Sequence, residues 1–409
     1  VPALYRWQEG AGGPAWEKIV PSAPDLPIKA RVADLEQAPF PTAPVVPVSE
    51  VTHDRITLEI MRGCVHGCRF CQAGMVKRPL RWRKPEQLLA QAKESYLRTG
   101  LSEIGLTSLS SSDYPCLTEL MALLTLEFRP QAVGLSLPSL RVDSALRDLP
   151  AIIQEVRKSG LTLAPETGSE RLRRVINKPI SDEDLYGTIR EAVAQGWQQL
   201  KLYFMVGLPT ETPEDIDAVA AMINEACFLG RRGRGTSLNV TVSLFVPKPH
   251  TPFQWEAMAG DDYYREAQGR IRGAIKVPRQ VRLRFADARH SRLEFLLSRG
   301  GPGTGALVKE AWTRGARFDA WDEEFRPEPW AGALASLGGE ARFASAFPAD
   351  PGRALPWDTV SAGPSRGFLW RERERAARSE PTPSCQGGEC AGCGLDPEWC
   401  LELRRARPD

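Results

Sequence analysis

No part of the chain approaches the roughly 18 to 20 consecutive apolar residues that a membrane-spanning helix requires, and nothing at its amino end reads as a cleavable signal. Both points exclude an integral membrane reading and favour a cytoplasmic setting. Charge of either sign is also lacking in excess: 53 Lys and Arg stand against 51 Asp and Glu, a formal net charge of +2. A chain so balanced gives no global reason to expect a nucleic-acid or membrane partner, and the basic runs Arg231 to Arg234 and Arg371 to Arg378 read as solvated faces. No GxGxxG follows the first strand-like segment, which argues against a dinucleotide-binding sheet. The glycine-rich stretch RGGPGTG at 299–305 has no Lys-Ser/Thr after it, so it reads as a turn rather than a phosphate cradle. A disulfide framework is missing too. The nine cysteines are odd in number and cluster at metal-like spacings, the pattern of a reducing compartment.

What is present is an ordinary globular composition, 42% hydrophobic and 25% charged over 409 residues. That length suits one large α/β domain with appendages, or two to three smaller ones. Residues 1–50 are Pro-rich and read as an extended leader or linker. The chain begins at Val1, and the expectation is that further sequence lies ahead of it. Strand-like runs then recur at 55–60, 103–109, 132–137, 160–165, 199–208 and 238–246. Helical patterns separate them at 85–99, 115–128, 144–158, 168–195 and 213–229. Six strands alternating with helices predict a parallel sheet, since parallel neighbours need crossover connections. The array is too long for a small domain, so a β/α barrel, complete or partial, is expected. Residues 260–345 read as helical.

The chemistry-bearing stretch is RGCVHGCRFCQAG (62–74), with Cys64, Cys68 and Cys71 spaced CxxxCxxC directly after the first strand of the alternation. Loops after strands build the reactive face of a β/α barrel. Three thiolates are one short of a closed tetrahedral site. They suit a four-iron cluster with one iron left open. A zinc knuckle completed by His66 or a tail cysteine is the alternative, although these gaps are poor zinc-finger spacing.

This stretch resembles the cluster motif of the radical S-adenosylmethionine (SAM) superfamily, including Phe70 before the third cysteine. The blocks SLSSSDY (108–114), SLPSLRVDS (136–144), APETGSERLRRVINKP (164–179), YFMVGLPTET (203–212) and VPKPHTPFQW (246–255) resemble, in order, its bacterial branch of the cobalamin-binding-domain type. The resemblance implies a partial (β/α)6 TIM-like barrel of the radical SAM type over residues 51–258. A helical extension (259–345) and a cysteine-rich tail (346–409) would follow. It also implies a 4Fe-4S cluster on Cys64, Cys68 and Cys71 and reductive cleavage of SAM to a 5′-deoxyadenosyl radical, with flavodoxin or ferredoxin as reductant. Members of this branch often carry a cobalamin-like domain ahead of the barrel; residues 1–409 do not include one, so cobalamin use is not assigned.

By position in those blocks, Ser110, Ser111, Ser112 and Asp113 match a segment that meets the SAM amino group. Glu166, Gly168 and Ser169 match a ribose-contacting block, with Ser169 also a candidate helix cap. Arg141 and Lys201 are candidates for the SAM carboxylate or the substrate. Gly207, Leu208 and Pro209 resemble the adenine-contacting block, while His250 and Gln254 are candidates to face substrate.

In the tail, Cys385, Cys390, Cys393 and Cys400 suffice for a second iron–sulfur cluster or a zinc ion, and spacing admits both. Relatives of this branch tend to close the motif as CGxC, where this chain has Asp396; Cys400 is the candidate replacement. Cys116 and Cys227 read as small buried hydrophobes. The leading functional expectation is SAM cleavage to modify an unknown substrate, with RNA or a ribosome-associated protein as candidates. An iron–sulfur redox or scaffold protein without SAM turnover and a zinc-organised RNA-binding module are the alternatives.

Overall fold

The computed structural model describes residues 4–10, 13–137, 160–231, 236–301, 303–340, 343, 349–385, 390–395 and 400. The helix expected over 144–158 and the candidate Arg141 lie outside them. A hairpin of β1 (Tyr5–Gly10) and β2 (Gly13–Lys18) occupies the leader, where only extended chain was expected. Beyond it come β3 (Ile56–Glu59), β4 (Met61–Arg62), β5 (Arg81–Trp82), β6 (Glu103–Thr107), β7 (Gly134–Ser136), β8 (Leu161–Glu166), β9 (Gln199–Val206), β10 (Ser237–Leu244) and β11 (Val281–Phe285).

Two parallel sheets result, in orders β3-β6-β7 and β8-β9-β10-β11, while β4 and β5 form a short antiparallel pair. Within each sheet every parallel strand neighbours its successor in the alternation, the progression of a partial β/α barrel. The six expected strands are present. A seventh, β11, lies in the region expected to be helical. Its sequence VRLRF alternates and leaves no residue fully buried, as on a sheet edge, and helices on both sides hide that signal.

Alternation sorts each strand into two faces. On β9, Leu200, Leu202, Phe204 and Val206 are buried, in one cluster with Leu120, Ile189, Val219 and Ile223 from the flanking helices. Lys201, Tyr203 and Met205 occupy the opposite face. Helix Pro85–Thr99 ends at Gly100, whose φ of +68° is the left-handed conformation of a helix stop. The helix expected over 168–195 is two helices, Glu170–Val175 and Asp182–Ala194. Between them Asn177 turns left-handed (φ +53°) and Pro179 follows, while Ser181 caps the second helix by accepting from Asp184 N at 3.0 Å. Among the described residues no helix is long and apolar enough to cross a membrane.

Candidate functional site

The cysteine loop leaves β4 at Gly63, where φ is +99° and an added Cβ would stand 2.6 Å from Pro79 O and 2.8 Å from Lys77 O. Only glycine fits that approach. The loop closes on itself through Cys71 N donating to Cys68 O at 3.1 Å. Cys71 then caps helix Gln72–Val76, its Sγ accepting from Gly74 N at 3.3 Å. Gln72 Nε2 donates to Pro249 O at 3.0 Å, tying this helix to the segment after β10.

All three thiols of the loop are half-buried. Burial pushes the Cys71 thiol up; the fields of Cys68 and Glu166 push the same way, while the Gly74 N–H and Lys178 favour the thiolate. Cys68, Cys71, Glu166 and Lys178 therefore share one electrostatic neighbourhood. Cys64 lines a different pocket together with the tail cysteines. Among the described residues no three His, Cys, Asp or Glu side chains converge at metal-binding spacing. Nevertheless the donor set of the loop fits thiolate-bound iron: three cysteines on eight residues of chain, each part-exposed.

Glu166 ends β8 with a φ of +70°. Such a conformation is costly for a residue with a Cβ and is characteristic of functional positions. Its Oε1 accepts from Lys178 Nζ at 2.8 Å, a pair whose side chains are only 15% and 10% exposed. Sequence reasoning missed Lys178, which follows the unforeseen helix break. The Asn-Lys-Pro triplet, a helix-stop signal, was the clue available.

Other candidates have structural partners. Asp113 is buried and its Oδ2 lies 2.8 Å from His66 Nε2, so the segment after β6 is bound to the cysteine loop. The Ser111 and Ser108 hydroxyls are 2.9 Å apart, Ser112 is half-buried, and the buried Ser110 Oγ has no hydrogen-bond partner. Gly168 lies against the backbone of helix Pro213–Arg231, where any Cβ would overlap Ala218 and Val219; its need for glycine is close packing. Ser169 caps Glu170–Val175 by accepting from Leu172 N at 3.1 Å and donates to Asp215.

Lys201 is half-buried on the β9 face opposite Leu200 and Leu202. Gly207 is left-handed (φ +82°). Leu208 is buried in an apolar cluster that also holds Phe253 and Phe245, with Phe70 and Met205 packed against it; Pro209 beside it is half-buried. His250 is left-handed (φ +57°), and burial lowers its pKa. Gln254 is buried, its Oε1 accepting from His250 N (2.9 Å) and Trp357 Nε1 (2.8 Å). Cys116 and Cys227 are buried, as expected.

A clamp behind the cysteine loop was not legible in the sequence. The Arg69 side chain is completely buried and donates to Arg174 O (3.1 Å), Val175 O (2.9 Å), Glu380 O (2.7 Å), Thr382 Oγ1 (3.3 Å) and Glu372 Oε2 (3.1 Å). Asn177 Nδ2 donates to Gly67 O (3.1 Å) and Thr382 O (3.2 Å), and Thr382 N donates back to Asn177 Oδ1 (2.8 Å). Residues 380–385 are thus fastened to the loop, ending with Cys385 N donating to Val65 O at 3.0 Å.

Residues 58–223 match the Radical SAM superfamily. The chain is similar to an uncharacterized protein of Methanocaldococcus jannaschii, 37% identical over 199 residues, which is 49% of this chain and 42% of the relative. It is also similar to a tRNA-2-methylthio-N(6)-dimethylallyladenosine synthase of Sorangium cellulosum, 27% identical over 261 residues, 56% of this chain and 49% of the relative. The chain thus spans less than half the length of these curated relatives. Among solved structures, the radical S-adenosylmethionine methyltransferase TsrM of Kitasatospora setae, with cobalamin and a [4Fe-4S] cluster bound, is 13% identical with a TM-score of 0.44, covering 59% of this chain and 57% of that one.

Proposed function

We propose, for a chain whose residues 58–223 match the Radical SAM superfamily, that Cys64, Cys68 and Cys71 hold the 4Fe-4S cluster at which SAM is cleaved, and that the product is a modified RNA. One observation carries the reading of the site. The three-cysteine loop stands at the strand ends of a partial parallel barrel, with the Glu166–Lys178 pair in the field of Cys71. When bound, cluster and SAM supply a 5′-deoxyadenosyl radical for hydrogen abstraction; the hard chemistry belongs to the cofactors.

The protein's own contribution is placement. Gly63 permits the tight exit from β4, and the His66–Asp113 contact fixes the loop to the strand-end segment. Lys178 partly neutralises Glu166 and favours the thiolate form of Cys71. Glu166, left-handed at the end of β8, is our candidate acceptor for the ribose hydroxyls. Phe70 and Leu208, in one apolar cluster, exclude water beneath the loop.

For the substrate, support comes from the Sorangium relative, whose name is that of a tRNA-modifying enzyme. The test is anaerobic reconstitution followed by assay of 5′-deoxyadenosine with and without bulk tRNA. The wild type is expected to form it and the Cys68→Ala/Cys71→Ala variant to form none. Wild type carrying its full iron but yielding no 5′-deoxyadenosine would overturn SAM cleavage in favour of a scaffold. Turnover that ribosomal proteins stimulate and tRNA does not would overturn the RNA assignment alone.

A further inference from the structure

Four tail thiols that the SAM site does not use line one cavity together with Cys64. A cavity of about 60 Å³ is lined by Cys64, Cys385, Cys390, Cys393 and Cys400, with Arg78 as the sole cation among otherwise apolar walls. That volume exceeds the roughly 10 to 15 Å³ needed for one water. Arg78 is 4% exposed, and its Nη1 has no hydrogen-bond partner. Buried unsatisfied donors of this kind are rare in native proteins and call for an explanation such as an ion. Four thiolates around a divalent metal, or around a cluster core of the same charge, carry a net charge of about −2. An unsatisfied guanidinium nitrogen beside them answers that charge.

Local backbone supports the same conclusion. Gly392 and Gly394 flank Cys393 in left-handed conformations, φ +62° and +88°, and Gly392 N donates to Cys390 Sγ at 3.4 Å. The turn is held from outside by Ser365 N donating to Cys393 O (2.7 Å) and Arg371 Nη2 to Gly392 O (3.0 Å). The other limb is held by the Cys385–Val65 hydrogen bond.

We propose that this pocket is a second, thiolate-held metal centre, with Cys385, Cys390, Cys393 and Cys400 as ligands and Cys64 on the wall it shares with the first. It takes a thiophilic metal, either one zinc ion or an iron–sulfur cluster. The sulfurs line the cavity from separate stretches of chain, so metal affinity is coupled to local ordering.

The experiment uses the full chain, purified and reconstituted without oxygen, with metal and acid-labile sulfide counted. The Cys68→Ala/Cys71→Ala variant is expected to retain one zinc or about four irons. The Cys390→Ser/Cys393→Ser variant is expected to lose that complement and keep the iron of the first site. Zinc and iron outcomes identify the metal and both support the centre. No metal in the first variant, or unchanged metal in the second, overturns it. Wild-type protein supplies a check free of folding artefacts: iodoacetamide labelling of Cys390 is expected to be slow until a chelator is added. Equal labelling with and without chelator would overturn the proposal.

Discussion

Replacing Glu211 by Gln isolates one buried carboxylate beneath the Gly207-Leu208-Pro209 block. Glu211 accepts from Gly207 N and from the Tyr263 hydroxyl, each at 2.5 Å. Burial is the main cause that raises its pKa from 4.5 to about 7; repulsion from Asp215 adds to it, and the hydrogen bonds oppose it. The unfolded chain therefore releases this proton near pH 4.5 while the folded chain holds it to about pH 7. Below that window both states are protonated, and the group adds no pH dependence. Within it the unfolded state binds fewer protons, so stability falls as pH rises; above it both states are ionised and the loss is complete. A shift of about 2.5 units at about 1.36 kcal/mol each sets the full loss at about 3 kcal/mol. Glutamine keeps the acceptor for Gly207 and cannot ionise. The assay is urea unfolding of wild type and variant from pH 4 to pH 8. The variant is expected to gain on the wild type through the window by up to about 3 kcal/mol, then run parallel to it. A difference constant across that range to within about 0.5 kcal/mol would refute the burial argument.

Arg69→Met removes five hydrogen bonds of a buried guanidinium, among them its ion pair with Glu372, which keeps the Thr382 hydroxyl as donor; a loss of about 3–5 kcal/mol is expected, with faster proteolysis between residues 378 and 385, measured by mass spectrometry. Gly168→Ala forces a methyl into the backbone of helix Pro213–Arg231 and is expected to cost about 1–3 kcal/mol or more, whereas Ser169→Ala next to it removes a cap worth about 1 kcal/mol; thermal melting ranks the two. Lys178→Met leaves Glu166 without its ammonium partner and is expected to lower 5′-deoxyadenosine formation while the iron count stays unchanged; loss of iron would assign Lys178 to the loop's integrity instead.

Much of the barrel was legible because its strands obey simple alternation and its helices carry their own stops. The apolar run of β9 and the glycine after helix Pro85–Thr99 are local signals. Two failures share a cause. The single helix read over 168–195 breaks at Asn177, whose left-handed turn is stabilised by partners at Gly67 and Thr382, and β11 exists because β10 offers it an open edge. Both depend on residues far off in sequence. The cysteine spacing marked the thiol loop, but spacing says nothing of which thiols face one another; the meeting of Cys64 with the tail became visible only in three dimensions. Gly168 illustrates the converse, a residue whose motif position is informative while its physical need is room for a helix.

The fastening of Gly67 through Asn177 to Thr382 fixes a schedule for biogenesis. During synthesis the thiol loop emerges some three hundred residues before its rear support, and domains fold as the chain is made. The loop therefore lacks that brace until Thr382 has been made, and it reaches its final geometry late in synthesis.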